Sequence, residues 1–383
     1  MSLAIAGMGW VTPLGSGVSP VWKRLLDGDV ARAEAVTSDI HERSFQVFRV
    51  SAEATANAPK HPRLRRSSAI SRFAVVAGLT ALDDAGVTLD VAAAERTAII
   101  FAISNGGVVY TKRFYHEVVQ AGAQAASPLL FPETVFNAPA SHLAAILGIT
   151  GTSYTLVGDG AVGLLALKMA EDLLLNPALD RCLVVASEEA DWLLCDAYQR
   201  WHLLRDQPPL EVFQEQSRGI ILSEGAGAIL LESEGRASAR PGRSEDRPSD
   251  SVHFETIDAG GNFRSQREAA DCVEKVFAEL APTNEDVVVA SANGTFIDRA
   301  ERAAILRHCP AAAVYAPKAA LGESVGASSL WQVIVAAEAL RTGVLPTAMG
   351  ALPRQIKHAA RRAIVSACGM NQQVAGLSLV LRD

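Results

Sequence analysis

The sequence has few of the features by which disulfide-rich proteins and metalloproteins are recognised. Its 383 residues include only five cysteines, an odd number, and no two of them form a CxxC pair. Scattered cysteines of this kind predict reduced thiols and argue against a disulfide framework or a structural zinc site. The eight histidines show no H-x-x-x-H spacing. We therefore expect neither a metal ion nor a bound cofactor.

Long apolar runs and an excess of positive charge are also absent. The mean hydropathy of +0.17 comes from dispersed Ala, Val and Leu, and no run approaches the ~20 apolar residues that a membrane span needs. The 35 basic and 42 acidic residues give a net charge of −7, which argues against nucleic-acid binding. Residues 1–7 contain no basic n-region. We therefore expect no signal peptide, no membrane contact and a cytoplasmic protein.

Apolar runs of strand length alternate along the chain with longer segments of helical periodicity. This alternation predicts an α/β fold in which helices cover a mostly parallel sheet. We also predict a hairpin whose two strands flank residues 224–227. A polar segment rich in Arg, Ser and Pro predicts a linker or surface loop at 236–251. The chain is thereby divided into two halves, 1–235 and 252–383.

The most conspicuous local motif is a G-x-G-x-x-G pattern formed by Gly158, Gly160 and Gly163. It lies between a predicted strand and a predicted helix. The next strand ends at Glu188 and Glu189, where a dinucleotide-binding fold places its ribose-binding acid. The motif is therefore compatible with a dinucleotide-binding oxidoreductase. A tight strand-to-helix turn that needs glycine for close packing explains the same pattern.

Six further segments match one protein family, in the family's own order. Residues 7–15 read GMGWVTPLG, and residues 218–232 contain EGAGAILLE. The other segments are 72–86, 137–151, 317–327 and 366–379. The chain as a whole resembles the β-ketoacyl synthases, the condensing enzymes of fatty acid and polyketide synthesis. The resemblance implies a thiolase-like fold, with two pseudo-repeated α/β halves in a five-layered αβαβα arrangement.

A working member of that family needs a cysteine at a strand-to-helix elbow and two histidines in later loops. The resemblance places these three positions at Gly160, Asn293 and Glu323. Glycine cannot form an acyl-enzyme, asparagine cannot shuttle a proton, and Glu323 brings negative charge to a place where an oxyanion would develop. We therefore expect no catalytic residue at these positions. Three other residues of the family's motifs are retained: Asp298, Glu301 and Lys318.

The resemblance also includes subunits that do not condense. Chain length factors pair with an active ketosynthase, shape its acyl tunnel, and often carry glutamine in place of the nucleophile, which Gly160 does not match. This parallel predicts a heterodimer or heterotetramer with an active β-ketoacyl synthase in type II fatty acid, polyketide or polyene synthesis. Acyl carrier protein would be an indirect partner, because it would dock mainly on the active synthase. An enzyme of altered chemistry that uses Asn293, Lys318 and Glu323 is the alternative on the same fold.

The resemblance assigns further residues to the tunnel, the interface and a gating loop. The tunnel and interface candidates are Phe114, Tyr115, Phe131, Phe136, His142 and Asp159. The four aromatic residues can equally belong to an ordinary core, and a core position is the default for His142. Asp159 can cap the helix that starts near 161 or contact the partner. The gating-loop residues are Cys368, Gly369 and Met370. Lys318 and Glu323 are expected to form a structural ion pair.

Overall fold

The structure is a computed structural model that describes residues 3–40, 42–233, 251–347 and 360–382, together with the backbone of 354–355. Its strands are β1 (Leu3–Thr12), β2 (Gly15–Ser16), β3 (Ala33–Thr37), β4 (Ser44–Phe48), β5 (Thr97–Ile103), β6 (Ser153–Val157), β7 (Arg181–Glu188), β8 (Leu222–Ser223), β9 (Gly225–Ser233), β10 (Ser251–Asn262), β11 (Val287–Val289), β12 (Ala313–Tyr315), β13 (Val344–Leu345), β14 (Arg354–Gln355), β15 (Arg362–Cys368) and β16 (Gln373–Arg382). Of the predicted linker, only Ser251 is among the described residues, and it begins β10.

The helices connect these strands and cover the sheet. They are α1 (Val18–Leu26), α2 (Ala69–Asp84), α3 (Val91–Glu95), α4 (Val108–Ala121), α5 (Ala138–Leu147), α6 (Val162–Leu173), α7 (Trp192–Arg200), α8 (Gln266–Leu280), α9 (Ile297–His308), α10 (Lys318–Leu321) and α11 (Ser328–Thr342). Short 3-10 turns lie at Glu53–Thr55, Pro62–Arg65, Ala123–Ala125 and Phe131–Thr134. No helix in the described part of the chain is long and apolar enough to span a bilayer.

The sheet has the same strand arrangement twice. One half has the order β1-β9-β7-β5-β6 and the other β10-β16-β15-β11-β12. In each half the first three strands are antiparallel neighbours and the last three are parallel neighbours. The prediction of a mostly parallel sheet is therefore wrong, because the sheet is mixed. Strands β1 and β10 join the halves, with Leu3 opposite Phe254 and Ala4 opposite His253.

Helices form three layers around these strands. On one outer face α2 contacts β1, β9 and β7 and packs against α5, and on the other α8 contacts β10, β15 and β16 and packs against α9. Between the halves, α6 and α11 contact each other and strands of both halves. Every residue of α11 from Ser328 to Leu340 is buried, as is typical of a helix with no solvent-facing side. The predicted five-layered αβαβα arrangement of two pseudo-repeated halves is confirmed.

The predicted hairpin around residues 224–227 is wrong. The short strand β8 pairs in parallel with β4, whereas β9 already begins at Gly225 and lies between β1 and β7. The glycines that resembled a turn serve close packing, because a Cβ on Gly227 would meet Leu330 of α11 at 2.9 Å. Glycine in a strand here marks the approach of a neighbouring helix.

Candidate functional site

The elbow between β6 and α6 is the centre of the candidate site. Gly160 is buried there, and Ala161 is the N-cap residue of α6, with no side-chain cap. A Cβ on Gly160 would lie 3.1 Å from the Cα of Gly369 and 3.5 Å from the carbonyl oxygen of Cys368. The loop between β15 and β16 therefore packs directly on the position that the resemblance assigns to the nucleophile. A side chain at 160 would fit only if this loop moved.

The three glycines of the G-x-G-x-x-G motif all serve close packing. A Cβ on Gly158 would meet Val162 and Gln373 at about 2.9 Å, and one on Gly163 would overlap Ser329 of α11. Because the loop that carries Gly369 covers the start of α6, the surface that binds a pyrophosphate in a dinucleotide fold is not open here. The structure favours the packing interpretation of this motif over the cofactor interpretation.

Asp159 connects the elbow to the covering loop. One carboxylate oxygen accepts the N–H of Gly160 at 2.7 Å, and the other accepts the N–H groups of Asn371 and Gln372 at 2.8 and 2.9 Å. The Asp159 N–H donates to the side-chain oxygen of Gln373 at 3.1 Å. The expected role as N-cap of α6 is wrong, because Ala161 occupies that position.

The other two replaced positions meet in a fully buried cluster. Lys318 opens α10, and its Nζ lies 2.8 Å from Oε2 of Glu323. Asn293, in the loop after β11, donates from Nδ2 to the same oxygen at 2.7 Å. All three side chains are at most 1% exposed. The predicted ion pair is confirmed, and its hydrogen bonds offset part of the cost of burying two charges.

A serine links this cluster to the loop over the elbow. Lys318 Nζ also donates to the Ser291 hydroxyl at 3.1 Å. That hydroxyl donates to the carbonyl of Cys368 and accepts its N–H, at 3.1 and 3.0 Å. Ser291 was missed by the sequence reasoning, because a serine just past a short strand carries no motif of its own.

The retained acidic residues hold the backbone of the cluster. Asp298 accepts the N–H groups of Asn293 and Gly294 at 2.8 and 3.0 Å. Asn293 Oδ1 in turn accepts the Thr295 hydroxyl at 2.7 Å, so both ends of the Asn293 amide are engaged. Burial raises the pKa of Glu301 to about 7, although the carboxylate accepts the Ser366 hydroxyl and the Ser291 N–H. The contacts of Asp298 and Thr295 hold the loop that carries Asn293.

Cys368 does not replace the missing nucleophile. Burial raises the pKa of its thiol well above the ordinary value, and the nearby carboxylates of Glu301 and Asp159 raise it further. The side chain is 1% exposed, and its Sγ donates to the carbonyl of Gly369. A neutral, enclosed thiol of this kind is a poor nucleophile. In the described part of the chain, no group of three His, Cys, Asp or Glu side chains is placed to hold a metal ion.

A cavity of about 560 Å³ lies outside the elbow. Four aromatic rings form part of its wall, those of Tyr198 on α7, Trp201 just after α7, and Phe263 and Phe296 in the loops before α8 and α9, and polar side chains form much of the rest. Asp159 and Met370 also line it, whereas Asn293, Lys318 and Glu323 do not. No sequence motif predicts this cavity, because its lining comes from distant segments of the chain.

The four aromatic candidates lie elsewhere, on the surface around α4. The rings of Phe114 and Phe131 are 5.7 Å apart. Tyr115 and Phe131 are 62% and 56% exposed, and Phe136 is 44% exposed. The core interpretation is therefore wrong for these three residues. Phe114, Tyr115 and Phe131 lie together at the surface of α4, and Phe136 packs on Gly106. None of the four is among the atoms next to Gly160.

His142 packs behind this patch, on α5. Its Nε2 lies 2.5 Å from Oε1 of Glu133, and the second oxygen of Glu133 accepts the N–H of Ser68 at 3.1 Å. Glu133 is 6% exposed. Glu133 thus connects His142 on α5 to the start of α2, whereas the other ring nitrogen of the half-buried His142, Nδ1, has no hydrogen-bond partner within the described residues.

Comparisons with known proteins agree with this geometry. The family model for the β-ketoacyl synthase N-terminal domain matches residues 2–237, and that for the C-terminal domain matches residues 254–351. Nodulation protein E of Rhizobium leguminosarum bv. trifolii is 26% identical over 353 residues, which is 90% of this chain and 87% of that protein.

Two solved structures are similar over nearly their whole length. The ishigamide ketosynthase/chain length factor gives a TM-score of 0.85 at 20% identity and covers 100% of this chain and 99% of its own. The AntDE:AntF assembly, a type II PKS acyl-carrier protein in complex with its ketosynthase bound to the hexaketide, gives 0.81 at 14% identity, with 99% of each chain covered. The chain belongs to the β-ketoacyl synthase family and has its thiolase-like fold.

Proposed function

We propose that this chain is a catalytically inactive ketosynthase-like subunit of the chain-length-factor type, which works beside an active β-ketoacyl synthase. The observation that carries the proposal is the buried cluster of Lys318, Glu323 and Asn293, together with Gly160 at the elbow. At each position where the family has a catalytic residue, this chain has a residue that packs tightly or forms a buried structural contact. The partner would supply the cysteine and both histidines.

The chemistry of the cluster supports a silent site. Loss of a covalent nucleophile alone costs several orders of magnitude in rate. At the third position, the Glu323 carboxylate neutralises Lys318, so no positive charge is left to stabilise a developing oxyanion. Asn293 donates one N–H of its amide to that same carboxylate, and an amide cannot shuttle a proton at neutral pH.

The surface beside β6 supports association with a partner. Strand β6 is the last strand on its side of the sheet, and Tyr154 and Val157 on it are 45% and 52% exposed. An open strand edge beside an apolar aromatic patch is a surface that proteins normally cover. We propose that an active ketosynthase covers it, in a heterodimer or heterotetramer, and that the α4 patch reaches toward the acyl tunnel of that partner.

Acyl carrier protein is the second proposed partner. We expect it to meet the complex mainly on the ketosynthase. On this chain, the described surface offers one basic cluster, around a cavity of about 390 Å³ lined by Lys60, His61, Arg65 and Arg72. These side chains are exposed or half-buried, and their charge would attract an acidic carrier protein.

The gap between the two family matches, 238–253, supports the proposed division into halves 1–235 and 252–383.

The test is reconstitution. The tagged chain is purified alone and together with the β-ketoacyl synthase that co-purifies with it, and both preparations receive acyl and malonyl thioesters on carrier protein. We expect condensation only with the partner, and its loss when the partner's nucleophilic cysteine is replaced. Condensation by the chain alone, abolished by Glu323→Gln, would instead establish altered chemistry at this site. Calorimetric binding of a nicotinamide dinucleotide at millimolar concentration would point to the oxidoreductase alternative.

A further inference from the structure

The start of α6 is an anion-binding position that the chain fills with its own carboxylate. Unpaired N–H groups and the helix dipole attract negative charge to the start of a helix. The N–H of Gly160, one residue before the N-cap, donates to Oδ1 of Asp159 at 2.7 Å. Asp159 is 6% exposed. The donor that a covalent intermediate would need at this elbow is therefore already engaged.

The second oxygen of the same carboxylate holds the covering loop. It accepts the N–H groups of Asn371 and Gln372 at 2.8 and 2.9 Å, and the Asp159 N–H donates to Gln373 at 3.1 Å. Hydrogen bonds from N–H groups to a charged carboxylate are stronger than those between neutral groups. Three hydrogen bonds, two of them to the carboxylate, thus fasten residues 371–373 to the elbow.

The fit of the loop depends on the absence of side chains. A Cβ on Gly369 would overlap the carboxylate of Asp159, and one on Gly160 would lie 3.1 Å from the Cα of Gly369. Two glycines and a carboxylate therefore fill the space between the elbow and the loop. Asp159, Met370, Asn371 and Gln372 also line the cavity of about 560 Å³, so this contact forms part of its wall.

We infer that Asp159 is a built-in latch: its carboxylate occupies the anion position at the elbow and keeps the loop closed over Gly160, so that acyl thioesters do not enter this subunit's own pocket. The inference deepens the proposed function and rests on it. It adds a second reason for the lack of activity. Besides having no nucleophile at Gly160, the elbow is covered by the loop 369–373 and its N–H is bound by the Asp159 carboxylate. An oxyanion and the Asp159 carboxylate would compete for the same Gly160 N–H, and both are negative.

The first test introduces a thiol as a reporter. Gly160→Cys is compared with Gly160→Cys/Asp159→Ala, and alkylation of residue 160 by iodoacetamide is followed by peptide-resolved mass spectrometry. We expect alkylation to be about tenfold or more slower when Asp159 is present, because the carboxylate disfavours a neighbouring thiolate and the closed loop excludes the reagent. Equal rates in the two backgrounds would overturn the latch.

The second test leaves Gly160 unchanged, in case the cysteine variants do not fold. Hydrogen–deuterium exchange of the peptide that contains 369–373 is measured for the wild-type chain, Asp159→Asn and Asp159→Ala. We expect exchange to rise by about tenfold or more in the alanine variant, which loses both hydrogen bonds from Asn371 and Gln372 to the carboxylate. The rise should be smaller in the asparagine variant, whose amide oxygen can still accept them. The matched control is Asp258→Ala, which removes a carboxylate that accepts the Gly260 N–H at 2.9 Å in β10.

Unchanged exchange at 369–373 in both Asp159 variants would refute the inference. The reconstitution described above does not depend on this result, since it measures condensation by the complex. A partner-dependent reaction combined with equal alkylation rates would therefore remove the latch and leave the proposed function standing. A chain that condenses alone would remove the proposed function.

Discussion

Among single residues, Lys318 depends most on its surroundings. The residue is 1% exposed, and Glu323 is the carboxylate that lies within ion-pair distance of its ammonium group among the described residues. A buried charge without a partner is far more costly than a surface charge, because neither water nor a counter-ion then stabilises it. The stability of the chain should therefore depend on Glu323.

We predict that Glu323→Ala destabilises the chain by about 3–5 kcal/mol, because Lys318 is left as an unpaired buried cation. The free energy of unfolding in urea measures the effect. The matched control is Asp172→Ala, which breaks the exposed pair of Lys168 and Asp172 on α6 and should cost at most about 1 kcal/mol. Equal losses in the two variants would contradict a structural role for the buried pair.

A second prediction concerns pH and Glu188, at the end of β7. Burial raises the pKa of this carboxyl from 4.5 to about 8. The folded chain therefore binds the proton more tightly than the unfolded chain does. The contribution of protonated Glu188 to the free energy of unfolding is fully present below pH 4.5 and is lost as the pH rises through about 8.

We expect Glu188→Gln to lose less stability than the wild-type chain between pH 5 and 8, measured as the free energy of unfolding at each pH. The amide can still accept the N–H of Asn105, which donates to Glu188 at 3.1 Å. Glu95→Gln, at an exposed position, serves as the control and should follow the wild-type curve. The same pH slope in all three proteins would contradict the assignment.

How much of the site could be predicted depended on whether its residues belong to motifs. Gly160, Asn293 and Glu323 could be found because each lies beside matched residues, and the ion pair followed from the short spacing of 318 and 323. Ser291 and the aromatic wall at Tyr198 and Phe263 could not be found. They are brought to the site by strand order and loop packing, which leave no local pattern.

At the scale of elements, most strands and helices were predictable and their pairing was not. Apolar runs identified β5, β7 and β11, but whether neighbours run parallel or antiparallel is decided by contacts between distant segments. The predicted hairpin failed for a related reason. The glycines at 225 and 227 are typical of turns, yet here they make room for α11 against β9.

The exposed patch on α4 and the turn after it carries the prediction about chain length. Phe114, Tyr115, Phe131 and Phe136 are replaced one at a time by alanine, and the product of the reconstituted complex is sized by mass spectrometry. We expect at least one variant to give a longer product, because a smaller side chain deepens the partner's tunnel. Val119→Ala, on the same helix and 77% exposed, is the control. Unchanged product length in all four variants would count against the chain-length role.

The whole molecule is organised as two equivalent halves that leave an open strand edge at β6. Their strand orders match one by one from the junction of β1 and β10 outward. This duplication followed from the family resemblance and could not be read from sequence repeats. The partner surface could be anticipated only as a region, since exposure of individual side chains depends on how α4 packs.

We predict that Val157→Lys prevents association with the partner ketosynthase, because a charge on the exposed side of β6 disfavours pairing of strand edges. Val157 is 52% exposed, so the isolated chain should keep its stability. Size-exclusion chromatography with light scattering measures the complex. The control is Leu306→Lys, at a position that is 59% exposed on α9 in the other half. A complex that survives Val157→Lys and dissociates with Leu306→Lys would place the partner on the opposite side of the molecule.

All three replaced positions lie in loops: Gly160 between β6 and α6, Asn293 between β11 and α9, and Glu323 between α10 and α11. Loops tolerate substitution while the scaffold that positions them stays intact. The fold can therefore keep its shape when the residues at these three positions change. Under the proposed function, that unchanged shape is what still fits a ketosynthase, and selection can then act on it through the length of the partner's product.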